Sequence, residues 1–410
     1  MTFHVALTSP PLTTRLGREA LASLLAKLIA SGDATSKAEL GRATGLARTT
    51  VDAGVETLLG VGAVRYAGVQ ASAGRGRPAE TLALEPSFGT VLVADCGSTL
   101  TRVGVFDLGQ RVIGRRDLDL RIDSGPEMVL PTLVGVFTEI LRDAGMASVP
   151  RTAVIGLPGP VDHWGGALVR PPIMPGWDGY PVVAELAREL DASVILENDV
   201  NLRALGEARS NPDWKGPILY LKVGTGIGVG IVGADGALFR GADGAAGDVG
   251  HLRVAGSTAE CACGAVGCLE AMSSVRAIGI DLGLVETPEA SVLAQIIDRI
   301  RHRDRETVAM VRERAEYLGE VVVALIHCFN PSRLVVGGRL ALASDDLLAG
   351  IRTIVYRRAL PLATRNLTIT SPSLGVDSGM AGGLAIGIEA ALEPEAIARS
   401  LRVRGRSRPR

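Results

Sequence analysis

The sequence predicts a mixed α/β protein, in which a small helical head closed by a hairpin precedes a two-lobed body of alternating strands and helices. Three observations carry this reading. Apolar residues near the N-terminus recur at helical spacing. From residue 87 onward, strand-length apolar runs alternate with helical stripes, over more chain than one α/β core usually holds. Within that stretch one strand–turn–strand pattern occurs twice. A chain of 410 residues suffices for about two to three domains.

Composition narrows the classes. Hydrophobic residues make up 47% and charged residues 21%, the balance of a folded chain rather than a disordered one. The 43 basic and 44 acidic residues nearly cancel, so no overall field favours nucleic acid or membrane, and such a partner must be met locally. The N-terminus has no basic segment followed by an apolar core, and no long uncharged apolar run follows, so the expectation is a cytoplasmic protein with no membrane partner.

The head spans residues 1–86. Leu21, Leu24, Leu25, Leu28 and Ile29 form one helical stripe that Gly32 and Asp33 end. Ser36, three residues before Glu39, offers a capping box for a second helix over 37–43. A Thr44-Gly45-Leu46 turn leads to a third helix over about 47–59, with Arg48, Thr49 and Thr50 crowding its first turn. Strands over 63–67 and 81–84 flank a loop rich in Gly and Arg, which completes a winged helix-turn-helix. In such a module the first turn of the third helix meets base edges in the major groove, so Arg48, Thr49 and Thr50 are the residues to read operator DNA. Gly74-Arg75-Gly76-Arg77-Pro78 resembles the hooks that place Arg75 and Arg77 in a narrow minor groove. The segment from Arg15 to Glu80 carries an excess of three positive charges in a chain whose total is −1. The alternative is an Arg-rich solvated loop on a protein-interaction domain.

The body spans residues 87–392. Its repeated pattern runs from Val91 to Asp107 and again from Leu219 to Gly233, each a strand, a tight Gly/Thr turn and a returning strand. The turns, Asp95-x-Gly97-x-Thr99 and Gly224-Thr225-Gly226, expose backbone N–H groups of the kind that cradle phosphates. The strongest chemical signal is His251, then nine residues later Cys261, with Cys263 and Cys268 close behind. One imidazole and three thiolates complete a tetrahedral zinc shell, leaving no position open for water, so the metal would be structural. Asn198 and Asp199 stand where they either meet a ligand or cap a helix over 200–209. Residues 393–410 form a basic tail, rich in Arg from Arg399 on, expected to be disordered.

Cys261-x-Cys263-Gly264-x-x-Gly267-Cys268-x-Glu270, preceded by Gly247-Asp248-Val249-Gly250-His251, closely resembles the signature of the ROK family of sugar kinases and sugar-responsive repressors. The likeness extends through Gly156-Leu157-Pro158-Gly159, Glu197-Asn198-Asp199 and Gly337-Gly338. It implies an actin-like, ribonuclease-H-like ATPase fold hinged near 197–199, with a sugar held between lobes by Asn198, Asp199, Asp248, His251 and Glu270. It also implies a nucleotide near Asp95, Gly97, Thr99, Gly224, Thr225, Gly226, Gly337 and Gly338. ATP and Mg²⁺ are implied only if phosphoryl transfer is retained, and Ser98 stands where the kinases carry Gly. The winged helix points to the repressor branch: a homodimer or homotetramer that binds operator DNA and a small sugar effector. The rival reading is an ATP-dependent hexose kinase with Asp199 as catalytic base. A third is an interaction protein governed by a transport component.

Overall fold

The structure, a computed structural model, describes residues 1–8, 17–70, 79–98, 100–146, 150–211, 215–287 and 290–406. In the head, the leucine stripe lies buried along α1 (Arg18–Ser31), which ends at Gly32 in the left-handed conformation, φ 81°. α2 (Lys37–Thr44) opens on the expected capping box. The Glu39 N–H donates to the Ser36 hydroxyl at 3.3 Å, and the Ser36 N–H donates back to the Glu39 carboxylate at 3.0 Å. α3 (Arg48–Val61) buries Val51, Val55 and Leu58, and β1 (Val64–Gln70) pairs antiparallel with β2 (Ala79–Leu84). All five elements follow the sequence reading, with slightly longer α3 and strands.

The first lobe contains β3 (Thr90–Cys96), β4 (Thr101–Asp107), β5 (Val112–Leu118), α4 (Pro126–Asp143), β6 (Pro150–Leu157), a short hairpin of β7 (Val161–Asp162) and β8 (Ala167–Leu168), α5 (Val182–Leu190) and β9 (Ser193–Asn198). Its sheet runs β5-β4-β3-β6-β9, antiparallel on the hairpin side and parallel on the other. β3 is buried along its whole length: Leu92 and Ala94 face one core, Val91 and Val93 another. That two-sided burial explains its continuous apolar run. α6 (Asp199–Arg209) leaves β9 and leads into the second lobe.

The second lobe contains β10 (Ile218–Val223), β11 (Ile227–Val232), α7 (Leu269–Ser273), α8 (Val275–Asp281), α9 (Val292–Arg301), α10 (Arg305–Phe329), β12 (Arg333–Gly337), α11 (Arg339–Ala343), α12 (Asp345–Arg358), α13 (Pro361–Thr364) and β13 (Thr368–Thr370). Its sheet order is β11-β10-β12-β13, again one antiparallel hairpin followed by parallel strands. The repeated pattern is therefore two equivalent hairpins, closing at Cys96↔Thr101 and Val223↔Ile227. α14 (Ser378–Ala391) returns to the first lobe and crosses α6, and α15 (Pro394–Arg406) follows it.

Two expectations about the chain ends are corrected. Residues 1–8 do not belong to the head: Phe3, Val5 and Leu7 are buried, Phe3 meets Phe106 edge-on at 5.4 Å, and the Ala6 N–H donates to the Arg209 carbonyl at 2.8 Å. The segment after residue 393 is not a disordered tail. It forms α15, which buries Ala396 and Ile397 and packs against α1 and α3, while Ser400 accepts from Arg151 at 2.8 Å. The physical reason is an apolar pair, Ile397 and Leu401, one helical turn apart among the arginines. Residues 407–410 lie outside the described residues. The core of the head is thereby continuous with that of the first lobe. Among the described residues, no helix is long and apolar enough to cross a membrane.

Candidate functional site

A cleft between the lobes is lined by Asn198, Asp199, Asp248, His251 and Glu270, the five residues read as sugar ligands. Asn198 ends β9 and caps α6. Its side-chain oxygen accepts from the Val200 N–H at 2.9 Å, and its amide nitrogen donates to the Gly159 carbonyl at 2.9 Å. Capping and cleft-lining are thus one conformation, with one amide N–H left over. Glu270, at the start of α7, accepts from the Ile227 N–H at 2.9 Å through one oxygen, which fixes its carboxylate across the hairpin turn. Beneath the cleft, Glu197 is buried and accepts from Asn201 at 2.8 Å and Arg240 at 2.7 Å.

His251, Cys261, Cys263 and Cys268 converge with all four ligand atoms within 4.8 Å of one another. Within this cluster, Cys261 Sγ lies 3.6 Å from His251 Nδ1 and Cys263 Sγ 3.8 Å from Cys268 Sγ. A tetrahedron built on the usual zinc distances has edges of about 3.5 Å between N and S and about 3.8 Å between sulfurs. The cluster therefore fits a structural zinc. Gly264 and Gly267 hold φ of 89° and 86°, backbone that lets the loop double back between the thiols. The other ring nitrogen, Nε2, lies 3.8 Å from Asp248 in the cleft.

Past Asp199 the cleft continues into a second pocket that shares Ser98, Asp199, Lys222 and Thr225 with the first. Gly97, Gly224, Thr225 and Gly338 line it, as read for a nucleotide. Gly226 faces the first pocket instead. Gly337 packs against Tyr220, because β12 lies beside β10 there. Thr99 lies outside the described residues. Asp95 does not reach the pocket: it is fully buried, and Arg203 donates to its Oδ1 at 2.8 Å. Its Oδ2 lies against Gly379 at the start of α14. Lys222 donates to Asp199 Oδ2, and Arg203 lies 3.8 Å from the same oxygen. Burial works against the Arg203 charge, but Asp95 and Asp199 outweigh it and hold the guanidinium more firmly protonated than usual. Across the cleft mouth, Ser98 Oγ and Thr225 Oγ1 are hydrogen-bonded at 2.7 Å, joining the two Gly-rich turns.

Sequence reasoning missed Arg203 and Lys222, although signals existed. Arg203 is one helical turn beyond Asp199, and Lys222 alternates with the buried Leu221 and Val223 on β10. On the head, Arg48 and Thr49 are exposed and Thr50 half-buried at the start of α3, with the Arg48 side chain 95% exposed. Arg75 and Arg77 lie outside the described residues.

The ROK family profile matches residues 91–390. The chain belongs to the ROK family. A glucokinase from Thermotoga maritima is 30% identical over 312 residues, covering 71% of this chain and 95% of the relative. A xylose repressor from Caldicellulosiruptor bescii is 26% identical over 365 residues, covering 84% of this chain and 90% of the relative. A crystal structure of a ROK family transcriptional regulator, a homologue of the Escherichia coli MLC protein, matches with a TM-score of 0.75 at 23% identity. That match covers 94% of this chain and 98% of that one. A ROK glucokinase from Streptomyces griseus, solved with glucose and AMPPNP, matches with a TM-score of 0.60 at 25% identity, covering 73% of this chain and 99% of that one. The body thus has the α/β fold shared by ROK kinases and repressors, and the regulators span more of this chain than the kinases do.

Proposed function

We propose that this chain is a sugar-responsive transcriptional repressor in which α1–α3 and the β1–β2 hairpin form a winged helix-turn-helix. The observation that carries this reading is the continuous core joining that head to the lobe beneath the cleft, with α15 packed on α1 and α3. A head buried into the body in this way is suited to report the state of the cleft. Asn198, Asp199, Asp248, His251 and Glu270 would hold the sugar hydroxyls. With zinc on His251 Nδ1, the ring proton sits on Nε2, which makes the imidazole a donor toward the cleft. Zinc would supply only a fixed ring and a folded loop.

In this mechanism a homodimer or homotetramer sets two α3 helices into successive major grooves, and sugar closing the cleft changes their spacing and lowers operator affinity. Arg48, Thr49 and Thr50 would read bases, while Arg75 and Arg77 would hold the minor groove. Fluorescence anisotropy with promoter DNA from the neighbouring operon, with and without a panel of sugars, tests the reading. Binding that a sugar weakens about 5–150-fold is the expected result. No binding to any local promoter overturns it. Arg75 and Arg77 replaced together by Ala should weaken binding and flatten its salt dependence while leaving sugar affinity unchanged.

The kinase reading draws on the retained Asp199 and on relatives such as the T. maritima glucokinase. It requires Mg²⁺–ATP beside Asp95 and Asp199. Arg203 pairs with Asp95 Oδ1 and Lys222 with Asp199, which favours the repressor reading, while Asp95 Oδ2 has no hydrogen-bond partner. Sugar-dependent ADP release that Asp199→Asn abolishes would restore it.

A further inference from the structure

The sheet of the first lobe ends on β9, which pairs with β6 alone. In a parallel pair alternate residues turn their backbone groups away from the neighbour, so one set on β9 faces outward. Two contacts identify that set. The Leu196 carbonyl accepts from His163 Nδ1 at 2.9 Å, and the Asn198 N–H donates to the Glu197 carboxylate at 3.0 Å. The backbone groups of residues 194, 196 and 198 therefore point outward, while those of 193, 195 and 197 bond to β6. Among the described residues, the Val194 N–H and carbonyl and the Leu196 N–H meet no partner. On β13, the corresponding outer strand of the second lobe, Arg352 covers the edge by donating to the Ile369 carbonyl at 2.6 and 3.1 Å. At the far side of that sheet β11 is covered by its own loop, where the Val229 N–H donates to the Gly247 carbonyl at 2.8 Å. An uncovered edge is a template for another extended chain.

The open edge is also the floor of a cavity of about 530 Å³. Val183 on α5 forms one wall, Ile386 and Ala390 on α14 form the other, and Trp164, 64% exposed in the β7–β8 turn, closes one end. Val194 and Leu196 send their side chains into the core that Val183 joins, so Ile195 faces the α14 side. A strand laid beside β9 would alternate its own side chains between the same two walls. The charged side chains of the lining already have partners. Arg240 donates to Glu197 at 2.7 Å, Arg209 to Glu389 at 3.1 Å and Lys27 to Glu393 at 2.7 Å. The groove thus offers bare backbone groups and apolar walls, and a charged occupant would give up water with no free counter-charge in return. Because β9 lies recessed between two helices, the equally flanked β9 of a second copy could not reach it, whereas a single extended chain could.

We propose that this groove is a docking site for an uncharged, extended segment of a partner protein, which adds beside β9 as a sixth strand of the sheet. Backbone bonds to Val194 and Leu196 would supply affinity, and side chains directed alternately at Val183 and Ile386 would supply selectivity. Trp164 would cover one end of the segment. The groove shares no lining residue with the sugar cleft among the described residues, so the proposal does not depend on the repressor reading. Its α14 wall also carries Glu389 and Glu393, which hold Thr8 and Lys27. An occupied groove therefore bears on the joint between body and head.

The test uses the full-length, zinc-containing protein and capped seven-residue peptides in which Val, Ile, Leu or Phe alternates with Thr. Matching peptides carry Pro, Asp or Lys at the centre. Binding is read by fluorescence anisotropy, and pairing by amide hydrogen exchange. In the free protein the Val194 and Leu196 amides should exchange about tenfold or more faster than that of Ile195, which bonds to β6. At least one alternating peptide should bind and slow both amides about tenfold or more, and Pro, Asp or Lys at its centre should weaken it about tenfold. Val194→Pro removes an outward N–H without touching the ladder to β6, so it should weaken the peptide about tenfold and leave sugar affinity unchanged. Trp164→Ala, at an exposed side chain, should weaken it as well, which keeps the proposal open to refutation if the proline variant does not fold. The proposal is overturned if no alternating peptide binds, if those that bind leave the Val194 and Leu196 amides unprotected, or if peptides with a charged centre bind equally well. Protection of these amides that rises with protein concentration alone would make a second copy the occupant and overturn it too.

Discussion

His251 shows how much one side chain carries. Its Nδ1 lies 3.6 Å from Cys261 Sγ in the metal cluster, while its Nε2 lies near Asp248 in the cleft. Cys263→Ser should remove most of the zinc, which metal analysis reads directly. Sugar affinity should fall about tenfold because the imidazole loses its fixed orientation. Undiminished zinc content would contradict the assignment. A second residue-scale case is Glu39. Hydrogen bonds from the Thr35 N–H, and then from Ser36 and the Thr35 hydroxyl, hold its carboxyl below the usual carboxylate range despite some burial. The unfolded chain therefore takes up a proton there at higher pH than the folded chain does. The stabilisation is whole above the ordinary value near 4.5 and is lost as pH falls through the depressed folded value. Glu39→Ala should cost about 1 kcal/mol at neutral pH. The difference from the parent should shrink on acidification below pH 4.5, read by urea unfolding across pH. A difference that grows with acid would refute the capping account.

At the scale of elements, the crossing of α6 and α14 fixes how the lobes meet. A Cβ on Gly206 would overlap the Ser378 carbonyl, and one on Gly382 would overlap the Leu202 carbonyl. Backbone thus rests on backbone, and neither helix can yield without moving the other. Gly382→Ala should cost at least the ~1–3 kcal/mol typical of overpacking, measured by chemical unfolding, and a neutral result would mean that the helices slide freely. The elements legible in the sequence are those whose signals are local. The capping box at Ser36, the leucine stripe of α1, the twin hairpins and the Cys261–Cys268 spacing each specify themselves within a few residues. Much of the cleft was legible for the same reason, since Asn198, Asp199, Asp248, His251 and Glu270 sit in compact motifs and converge on one pocket. What escaped depends on distant partners. Arg203 acquires its meaning only when α6 brings it to Asp95, 108 positions away, and Lys222 only when β10 passes Asp199. Asp95 stands in a turn motif that the resemblance places near a nucleotide, but tertiary packing buries it. α15 looked like solvated charge because arginines outnumber its apolar residues, yet Ile397 is fully buried.

For the whole molecule, the question is how a cleft in the body can speak to a head at one end. Two routes leave α6. Its last residue, Arg209, donates to Glu389 on α14 at 3.1 Å and to the Ala6 carbonyl at 3.1 Å, tying the N-terminal segment to the lobe junction. Beyond α14, Leu392 is buried and α15 lies along α1, with Lys27 and Glu393 paired at 2.7 Å. On the repressor reading proposed above, this packing is the path by which a rotation of α14 against α6 would reach the first helix of the head. Ile397, at the centre of that contact, is the residue whose loss should uncouple the two. Ile397→Asp places a charge at a fully buried position, so α15 should leave its groove rather than bury it. Sugar affinity should remain within about twofold of the parent, because α15 does not touch the cleft. Operator DNA should still bind, since the first turn of α3 is far from the substitution in the chain and exposed. What should disappear is the link: the ratio of operator affinities without and with effector, about 5–150-fold for a working switch, should collapse toward one. Ile397→Val, which keeps the apolar contact, should preserve it. Anisotropy titrations on the three proteins read that ratio directly. A full response in Ile397→Asp would show that α15 serves only to hold the head in place.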